Sequence, residues 1–352
     1  MPKLDTPLQL SPVFKPKIWG RRDLSPVFED RPDPLGTGEP IGEAWLTDDS
    51  SRFLNGPPAG TTLAEAVEKY GPELCGRAWS GGRFPILTKF LFTSDWLSIQ
   101  VHPDDDYARR HEPGSPGKWE MWYIVLSGRG ARLILGAKPG VSKENLRAAF
   151  EQGRSRQHLR SLRPGAGDAY VIQPGTVHAL GARLVLFEAE QNSDVTYRLD
   201  DFGRMGLDGK PRPLHLEKGL NVVRPELGRE GRLPHLRISE PYGWRRFVVA
   251  CRHFAVEEIM MRRLAAFRSS PERVEILTMI EGEGRVETSQ GWMSYATGET
   301  WLIPPSVAQY RLVPLGKTRF LKSYVPDVEK DFRRPLVKRK KSAKQIARIV
   351  FG

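Results

Sequence analysis

Polar side chains alternate with apolar ones in the stretch LSIQVH, residues 97–102. This is the period of a half-buried β-strand, so Ser98, Gln100 and His102 are expected to leave the strand on the same face. A hydroxyl, an amide and an imidazole fill a core poorly, because buried polar groups destabilise a protein unless they find partners. The alternation therefore predicts that this face lines a site.

A second strand is predicted after a break rich in glycine and proline, and it begins at Lys118 in KWEMWY. The side chains of Lys118 and Glu120 share one face of that strand. A further histidine, His178, follows a predicted strand and a Pro-Gly turn in GDAYVIQPGTVHALG. Two imidazoles, a carboxylate and an amide oxygen suit Zn²⁺, and other divalent first-row ions are compatible with the same set. We predict that one Zn²⁺ per chain is bound by Gln100, His102, Glu120 and His178.

Charge and length limit the classes of function. A chain of 352 residues favours two domains over one. The net charge is +12, and residues 326–352 contribute +6 of it from nine Lys or Arg against three Asp or Glu. The remaining charge forms no dense basic stripe, so no nucleic-acid partner is expected. The basic tail is expected to be solvated, and binding of an acidic surface is left open.

Membrane association and secretion are not expected. The sequence has no stretch of about 18 apolar residues and no signal-peptide pattern at its start. Its two cysteines, Cys75 and Cys251, fit no metal or disulfide spacing. A cytoplasmic protein without a membrane partner is therefore predicted.

The chain repeats itself. GDAYVIQPGTVH, residues 167–178, matches GETWLIPPSVAQ, residues 298–309, and the predicted ligand His178 is replaced by Gln309 in the second copy. Short strands and glycine-rich turns around both copies favour a mainly β fold of two barrels or jelly rolls. The predicted organisation is a metal-binding catalytic domain at 1–223 with a small helical insertion at about 140–163, a linker at 224–235, a degenerate second domain at 236–325 and the basic tail at 326–352.

Four segments carry a resemblance to a known family: LSIQVHPDDDYA, GKWEMWYI, PGTVHALG and QNSDVTYRLDDFGR. They are similar to the short bacterial form of type I mannose-6-phosphate isomerases (phosphomannose isomerases), zinc enzymes of the cupin superfamily. The likeness covers nearly the whole chain and implies two cupin-type barrels. It also implies an aldose-ketose isomerase that interconverts mannose 6-phosphate and fructose 6-phosphate through an enediol.

The resemblance assigns further residues. The family's zinc ligands fall on the four predicted ligands, its substrate-site lysine on Lys118, and its serine on Ser98. Its catalytic arginine falls on Arg198, and Arg204 aligns approximately with a second cation near the sugar phosphate. A phosphorylated hexose as substrate accounts for this gathering of cations, which is predicted to include Lys89.

Lys118 and Arg198 are the predicted catalytic residues. A nearby dication is expected to lower the pKa of Lys118 so that the amine can carry the proton, with His102 or metal-bound water as alternatives. Arg198 cannot act as a base, so its predicted role is electrostatic. Trp119 departs from the family, which usually has threonine at this position.

Two other functions are considered. An isomerase of a different phosphosugar, such as glucose 6-phosphate, is disfavoured because cupins of that kind usually keep more histidines in the strand that contains Gln100. A non-catalytic cupin that binds a sugar phosphate should have lost Arg198 or a metal ligand, and all are present. The expected oligomeric state is a monomer or a weak homodimer.

Overall fold

The strands of the first half of the chain build two sheets. The computed structural model describes residues 3–31 and 33–352. The strands of this half are β1 (Leu8–Leu10), β2 (Val13–Arg21), β3 (Ile41–Trp45), β4 (Ile86–Thr93), β5 (Ile99–Val101), β6 (Glu120–Ser127), β7 (Leu133–Ala137), β8 (Leu159–Leu162), β9 (Ala169–Ile172), β10 (His178–Leu180), β11 (Leu184–Gln191) and β12 (Tyr197–Asp200). One sheet has the order β2-β3-β4-β11-β6-β9, and the other has the order β12-β5-β10-β7-β8.

The second half repeats this arrangement. Its strands are β13 (Leu236–Glu240), β14 (Gly243–Ala250), β15 (Ala255–Met261), β16 (Ala265–Arg268), β17 (Glu275–Glu281), β18 (Gly284–Thr288), β19 (Gly291–Tyr295), β20 (Thr300–Ile303), β21 (Gln309–Pro314) and β22 (Thr318–Tyr324). The sheets have the orders β13-β14-β15-β22-β17-β20-β1 and β16-β21-β18-β19. Each strand from β13 to β22 thus takes the place of the strand eleven positions earlier. The predicted duplication and the mainly β, cupin-type fold are confirmed.

Helices are short and lie at the ends and edges of the sheets. They are α1 (Leu63–Tyr70), α2 (Pro72–Cys75), α3 (Asp105–His111), α4 (Lys143–Glu151), α5 (Leu216–Val222), α6 (Arg334–Lys338) and α7 (Ala343–Ala347), with 3-10 turns at Ser155–His158 and Pro305–Val307 and a π-helical turn at Glu329–Arg333. No helix in the described residues is long and apolar enough to cross a membrane. The helices contribute caps and connections, and the sheets position the site.

Strand β6 shows how alternation builds two cores at once. Trp122 and Ile124 pack between the two sheets of the first half. Met121 and Tyr123 leave the opposite face and join a large apolar cluster shared by both halves. Both faces of the strand are therefore buried. A register shift of one residue would turn the side chains that face the site toward the interface between the two halves.

The structure differs from three predictions made from the sequence. Within the predicted 1–223 domain, β1 pairs instead with β20 of the second half, with Leu8 opposite Leu302. In the predicted helical insertion, α4 and a 3-10 turn form, but residues 159–162 are a strand because they extend the sheet beside β7. The tail is not a solvated segment.

The basic tail docks on the second half. Phe332, Leu336, Ile346 and Ile349 are buried in the shared cluster, and Val350 forms a parallel bridge with Ala250. Apolar residues in the tail recur at spacings of three and four, so its helical turns have one apolar face while the lysines and arginines point outward. Net charge therefore did not decide whether this segment packs.

Candidate metal and substrate site

Three predicted site residues lie side by side on one sheet. Strand β5 is paired on both sides, and Gln100 lies opposite His178 of β10 and opposite Arg198 of β12. Side chains of directly opposed residues project on the same face, which brings their ends together. The amide nitrogen of Gln100 lies 3.2 Å from Nε2 of His178. Residue His102, two positions along from Gln100, adds the second imidazole to this face.

The carboxylate comes from the facing sheet. Glu120, at the start of β6, places Oε1 3.0 Å from Nε2 of His102 and Oε2 3.5 Å from Nε2 of His178. The ligand atoms of these three buried residues all lie within 4.8 Å of one another. The structure thus brings all four sequence-predicted ligands together at one point between the two sheets.

Hydrogen bonds at the far side of each ring prepare the histidines to hold a cation. Nδ1 of His102 lies 2.8 Å from the carbonyl oxygen of Val195, and Nδ1 of His178 lies 2.9 Å from that of Thr176. Each Nδ1 therefore carries the hydrogen and donates it, and each Nε2 directs a lone pair toward Glu120.

A second observation supports a metal at this point. In the described part of the chain, Nε2 of His102 and Oε2 of Glu120 are buried without a hydrogen-bond partner. The amide of Gln100 presents its oxygen after a half-turn of its last torsion, because the two ends of an amide have nearly the same shape. Lone pairs that converge without a donor repel one another, and a divalent cation removes that repulsion. The residues present therefore fit a metal ion.

The protonation states agree with this fit. Burial lowers the pKa of His178 to about 4, so the ring is neutral at pH 7, as a metal ligand must be. Burial acts to raise the pKa of Glu120, but the neighbouring His102 and Lys118 overcome it and hold the pKa well below the usual range. The carboxylate of Glu120 and the neutral imidazole of His178 are thus present together.

Two buried lysines and two further buried glutamates lie beside the ligand set. Nζ of Lys118 lies 3.1 Å from Oε1 of Glu120 and 3.0 Å from Oε2 of Glu190. Nζ of Lys89 lies 2.6 Å from Oε1 of Glu190 and 3.6 Å from Oε2 of Glu188. Glu190 is fully buried and bridges both ammonium groups.

The carboxylates around Lys118 oppose the lowering of its pKa that the sequence predicted for a lysine beside a dication. Burial lowers the pKa of Lys118, but the carboxylates of Glu190 and Glu120, with a further contribution from Glu188, raise it well above the usual value. The pKa of Glu188 is raised as well: burial and the charges of Glu190 and Glu120 raise it well above the usual range. The site therefore contains an ammonium group that keeps its proton and a carboxyl group that readily takes one.

A polar cavity of about 280 Å³ opens beside the ligand set. Of the residues predicted to bind substrate, Ser98, Lys89, Lys118 and Arg198 line this cavity. Arg204 does not. Its guanidinium is held outside, with Nη1 3.2 Å from Oδ2 of Asp95 and Nη2 2.8 Å from Oδ1 of Asp201.

Sequence reasoning missed several residues of the cavity and its surroundings: Lys17, Glu43, Glu188, Glu190, Arg212 and His215. Glu188 and Glu190 carried a usable signal, because two glutamates two positions apart interrupt an otherwise apolar strand in LVLFEAEQ. Arg212 lies in the irregular segment between β12 and α5, where no periodicity indicates direction.

Comparisons with known proteins agree with this geometry. A family model described as phosphomannose isomerase type I, catalytic domain, matches residues 8–120. Mannose-6-phosphate isomerase ManA of Bacillus subtilis is 34% identical over 307 residues, which cover 87% of this chain and 95% of the relative. A mannose-6-phosphate isomerase of Streptococcus mutans is 38% identical over 222 residues, which cover 62% of this chain and 67% of the relative.

Solved structures give the same result. The crystal structure of the Bacillus subtilis mannose 6-phosphate isomerase superposes with a TM-score of 0.81 at 32% identity, covering 90% of this chain and 99% of that one. The structure of a putative mannosephosphate isomerase from Archaeoglobus fulgidus has a TM-score of 0.70 at 18% identity, covering 91% of this chain and 98% of that one, and this likeness supports the fold alone. This chain belongs to the type I phosphomannose isomerases, a family of enzymes with the cupin fold.

Proposed function

We propose that this protein is a zinc-dependent isomerase that interconverts mannose 6-phosphate and fructose 6-phosphate through an enediol. The observation that carries the proposal is the buried set of Gln100, His102, Glu120 and His178 beside a polar cavity lined by lysines and arginines. The relatives named as mannose-6-phosphate isomerases support the choice of sugar phosphate. The cavity volume lies near the lower end of the range for small-ligand sites, as a single hexose phosphate requires.

The four ligands hold the metal in this proposal. When bound, Zn²⁺ supplies a Lewis acid that polarises the carbonyl and hydroxyl oxygens at C1 and C2 of the sugar. The protein contributes one negative charge from Glu120 and two neutral imidazoles, so much of the positive charge of the metal stays available to the substrate. The other residues of the site then have to orient the sugar, move one proton from C2 to C1 and allow the hydroxyl proton of O2 to reach O1.

We assign the proton transfer to Glu188 and the hydrogen bond that stabilises the enediolate to Lys118. Isomerisation removes a proton from C2 of the aldose, forms the C1–C2 double bond of the enediol and returns a proton to C1, while the hydroxyl proton of O2 is transferred to O1. Both side chains line the cavity. Glu188 is positioned by the indole N–H of Trp122, which donates to its Oε1 at 2.9 Å. Burial and the charges of Glu190 and Glu120 raise its pKa, which makes the carboxylate a stronger base toward the carbon-bound proton.

Lys118 has a different role in the proposed reaction. The surrounding carboxylates keep it protonated, so its ammonium donates to the developing oxyanion and does not abstract the carbon-bound proton. Arg198, which also lines the cavity, remains cationic and adds electrostatic stabilisation at the other end of the substrate.

A coupled assay that follows fructose 6-phosphate from mannose 6-phosphate tests the proposal. Chelation should abolish turnover, and added Zn²⁺ should restore it. Glu188→Gln should keep the wild-type metal content and lose at least about 100-fold in kcat, the size typical of a lost general acid-base group. The matched control is Glu144→Gln on α4, an exposed carboxylate far from the cavity lining.

Other outcomes would contradict the proposal in distinct ways. Turnover of glucose 6-phosphate but not of mannose 6-phosphate would change the substrate, and sugar-phosphate binding without turnover would indicate a non-catalytic cupin. Full activity of the metal-free protein would remove zinc dependence. A Glu188→Gln variant with wild-type kcat would exclude Glu188 as the proton carrier.

A further inference from the structure

Two arginines line the cavity. Arg198 reaches it from β12, and Arg212 reaches it from the segment between β12 and α5. His215 also lines the cavity, where its Nδ1 accepts a hydrogen bond from the backbone N–H of Arg198 at 3.2 Å. The two guanidinium groups therefore bring positive charge to the cavity lining.

Arg212 is held rigidly by one buried carboxylate. Its Nε donates to Oδ2 of Asp201 at 2.7 Å, and its Nη2 donates to Oδ1 of the same residue. Asp201 is only 4% exposed and also accepts from Nη2 of Arg204 at 2.8 Å. A two-point contact of this kind fixes the plane of a guanidinium group. Among the described residues Nη1 of Arg212 has no hydrogen-bond partner, so its two N–H groups remain available.

Arg198 also has unused donors. Its Nη1 donates to the carbonyl oxygen of Pro213 at 2.9 Å, whereas its Nε is buried without a partner in the described part of the chain. Arg198 and Arg212 line the same small cavity, so two guanidinium groups share this space. An anion placed between them satisfies the spare donors and removes the repulsion.

We propose that Arg212 and Arg198 together bind the phosphoryl group of the substrate. Arg212 thereby takes the role that the sequence assigned to Arg204. Arg204 instead supports it from outside the cavity, through the shared carboxylate of Asp201. This inference rests on the proposed function, because it concerns the phosphate of the same sugar. Two guanidinium groups match the charge and the several acceptor oxygens of a phosphate dianion.

Binding and kinetics together test this proposal on the full-length, metal-loaded protein. Calorimetry measures the Kd of glucitol 6-phosphate, a hexitol phosphate with no carbonyl group and so no possibility of isomerisation. Steady-state assays measure KM and kcat for mannose 6-phosphate. Arg212→Gln should raise both Kd and KM by about 10- to 100-fold, as expected for loss of charge-assisted hydrogen bonds. Its kcat should stay within about threefold, because the group acts far from C1 and C2.

Two further variants make the result specific. Arg212→Lys should recover part of the lost affinity, because it restores the charge without the planar fork. Lys210→Gln is the matched control: it removes one positive charge from the same segment, its side chain is exposed, and it does not line the cavity. Its Kd and KM should remain within twofold of the wild type.

The proposal is overturned if Arg212→Gln binds glucitol 6-phosphate as the wild type does, or if only its melting temperature falls. It is also overturned if Arg204→Gln weakens binding more than Arg212→Gln does, or if the wild type binds no glucitol 6-phosphate. Failure of the proposed function looks different. If the wild type binds glucitol 6-phosphate but does not isomerise mannose 6-phosphate, the proposed function is refuted. The comparison of glucitol 6-phosphate binding between the variants still tests the role of Arg212.

Discussion

Glu190 is the residue whose removal should disturb the site most without touching the cavity. It is fully buried, and its two oxygens lie 2.6 Å from Nζ of Lys89 and 3.0 Å from Nζ of Lys118. The substitution Glu190→Gln keeps the shape of the side chain and removes its charge. Lys118 then retains Glu120, and Lys89 retains only the longer contact of 3.6 Å to Glu188. A buried ammonium group is left under-compensated.

The expected loss of stability follows from that geometry. Breaking a buried ion pair by removing one partner costs about 3–5 kcal/mol, mainly because the other charge remains buried. With an unfolding entropy of about 2.1 cal/mol/K per residue, the whole chain of 352 residues has about 0.74 kcal/mol/K. The variant should therefore melt about 4–7 °C below the wild type.

Differential scanning calorimetry on metal-loaded samples at pH 7 measures this shift. The control is Glu217→Gln, which removes one carboxylate from the exposed pair between Arg147 and Glu217 and should leave the melting temperature near its wild-type value. If Glu190→Gln melts within 1 °C of the wild type, the reasoning fails. In that case the two lysines are not both held as buried ammonium groups that depend on Glu190.

Two further predictions concern the surroundings of the site. Burial, assisted by Arg252 and opposed by Asp105, lowers the pKa of His253 from 6.5 to about 4. The unfolded chain binds the proton in that interval and the folded chain does not, so stability should be lost as pH falls from about 6.5 to about 4. His253→Gln should reduce the fall in melting temperature between pH 7 and 4.5, and an unchanged fall would contradict this. The ring centroid of Phe351 in the tail lies 6.3 Å from that of Trp119. In the sequence, Trp119 stands between the site residues Lys118 and Glu120. Phe351→Ala should cost about 2 kcal/mol, roughly half the loss for a fully buried Phe, and lower the melting temperature by about 3 °C; an unchanged melting temperature would show that this contact contributes nothing.

Local periodicity was enough to identify the candidate ligands. In a strand, successive side chains point to opposite faces, so alternation alone placed Gln100 with His102 and Lys118 with Glu120. The repeat between residues 167–178 and 298–309 predicted a duplicated fold in the same way, because equivalent turns recur at equivalent places. The alternation and the repeated segment can each be recognised within a few consecutive residues, and the observed sheet orders agree with the duplication.

Other features depended on contacts between distant parts of the chain. The direction of the Lys118 pKa is decided by carboxylates, of which Glu188 and Glu190 come from β11, and only strand pairing brings them there. The docking of the tail depends on an apolar surface of the second half.

The sequence by itself determined which residues share a face and which family the chain resembles, and it predicted four candidate metal ligands. Only the tertiary structure decided that Arg212 faces the cavity while Arg204 lies outside it. Both arginines belong to irregular backbone, where no repeating geometry links position in the chain to direction in space. Their directions are set by Asp95 and Asp201, whose positions depend on the whole fold.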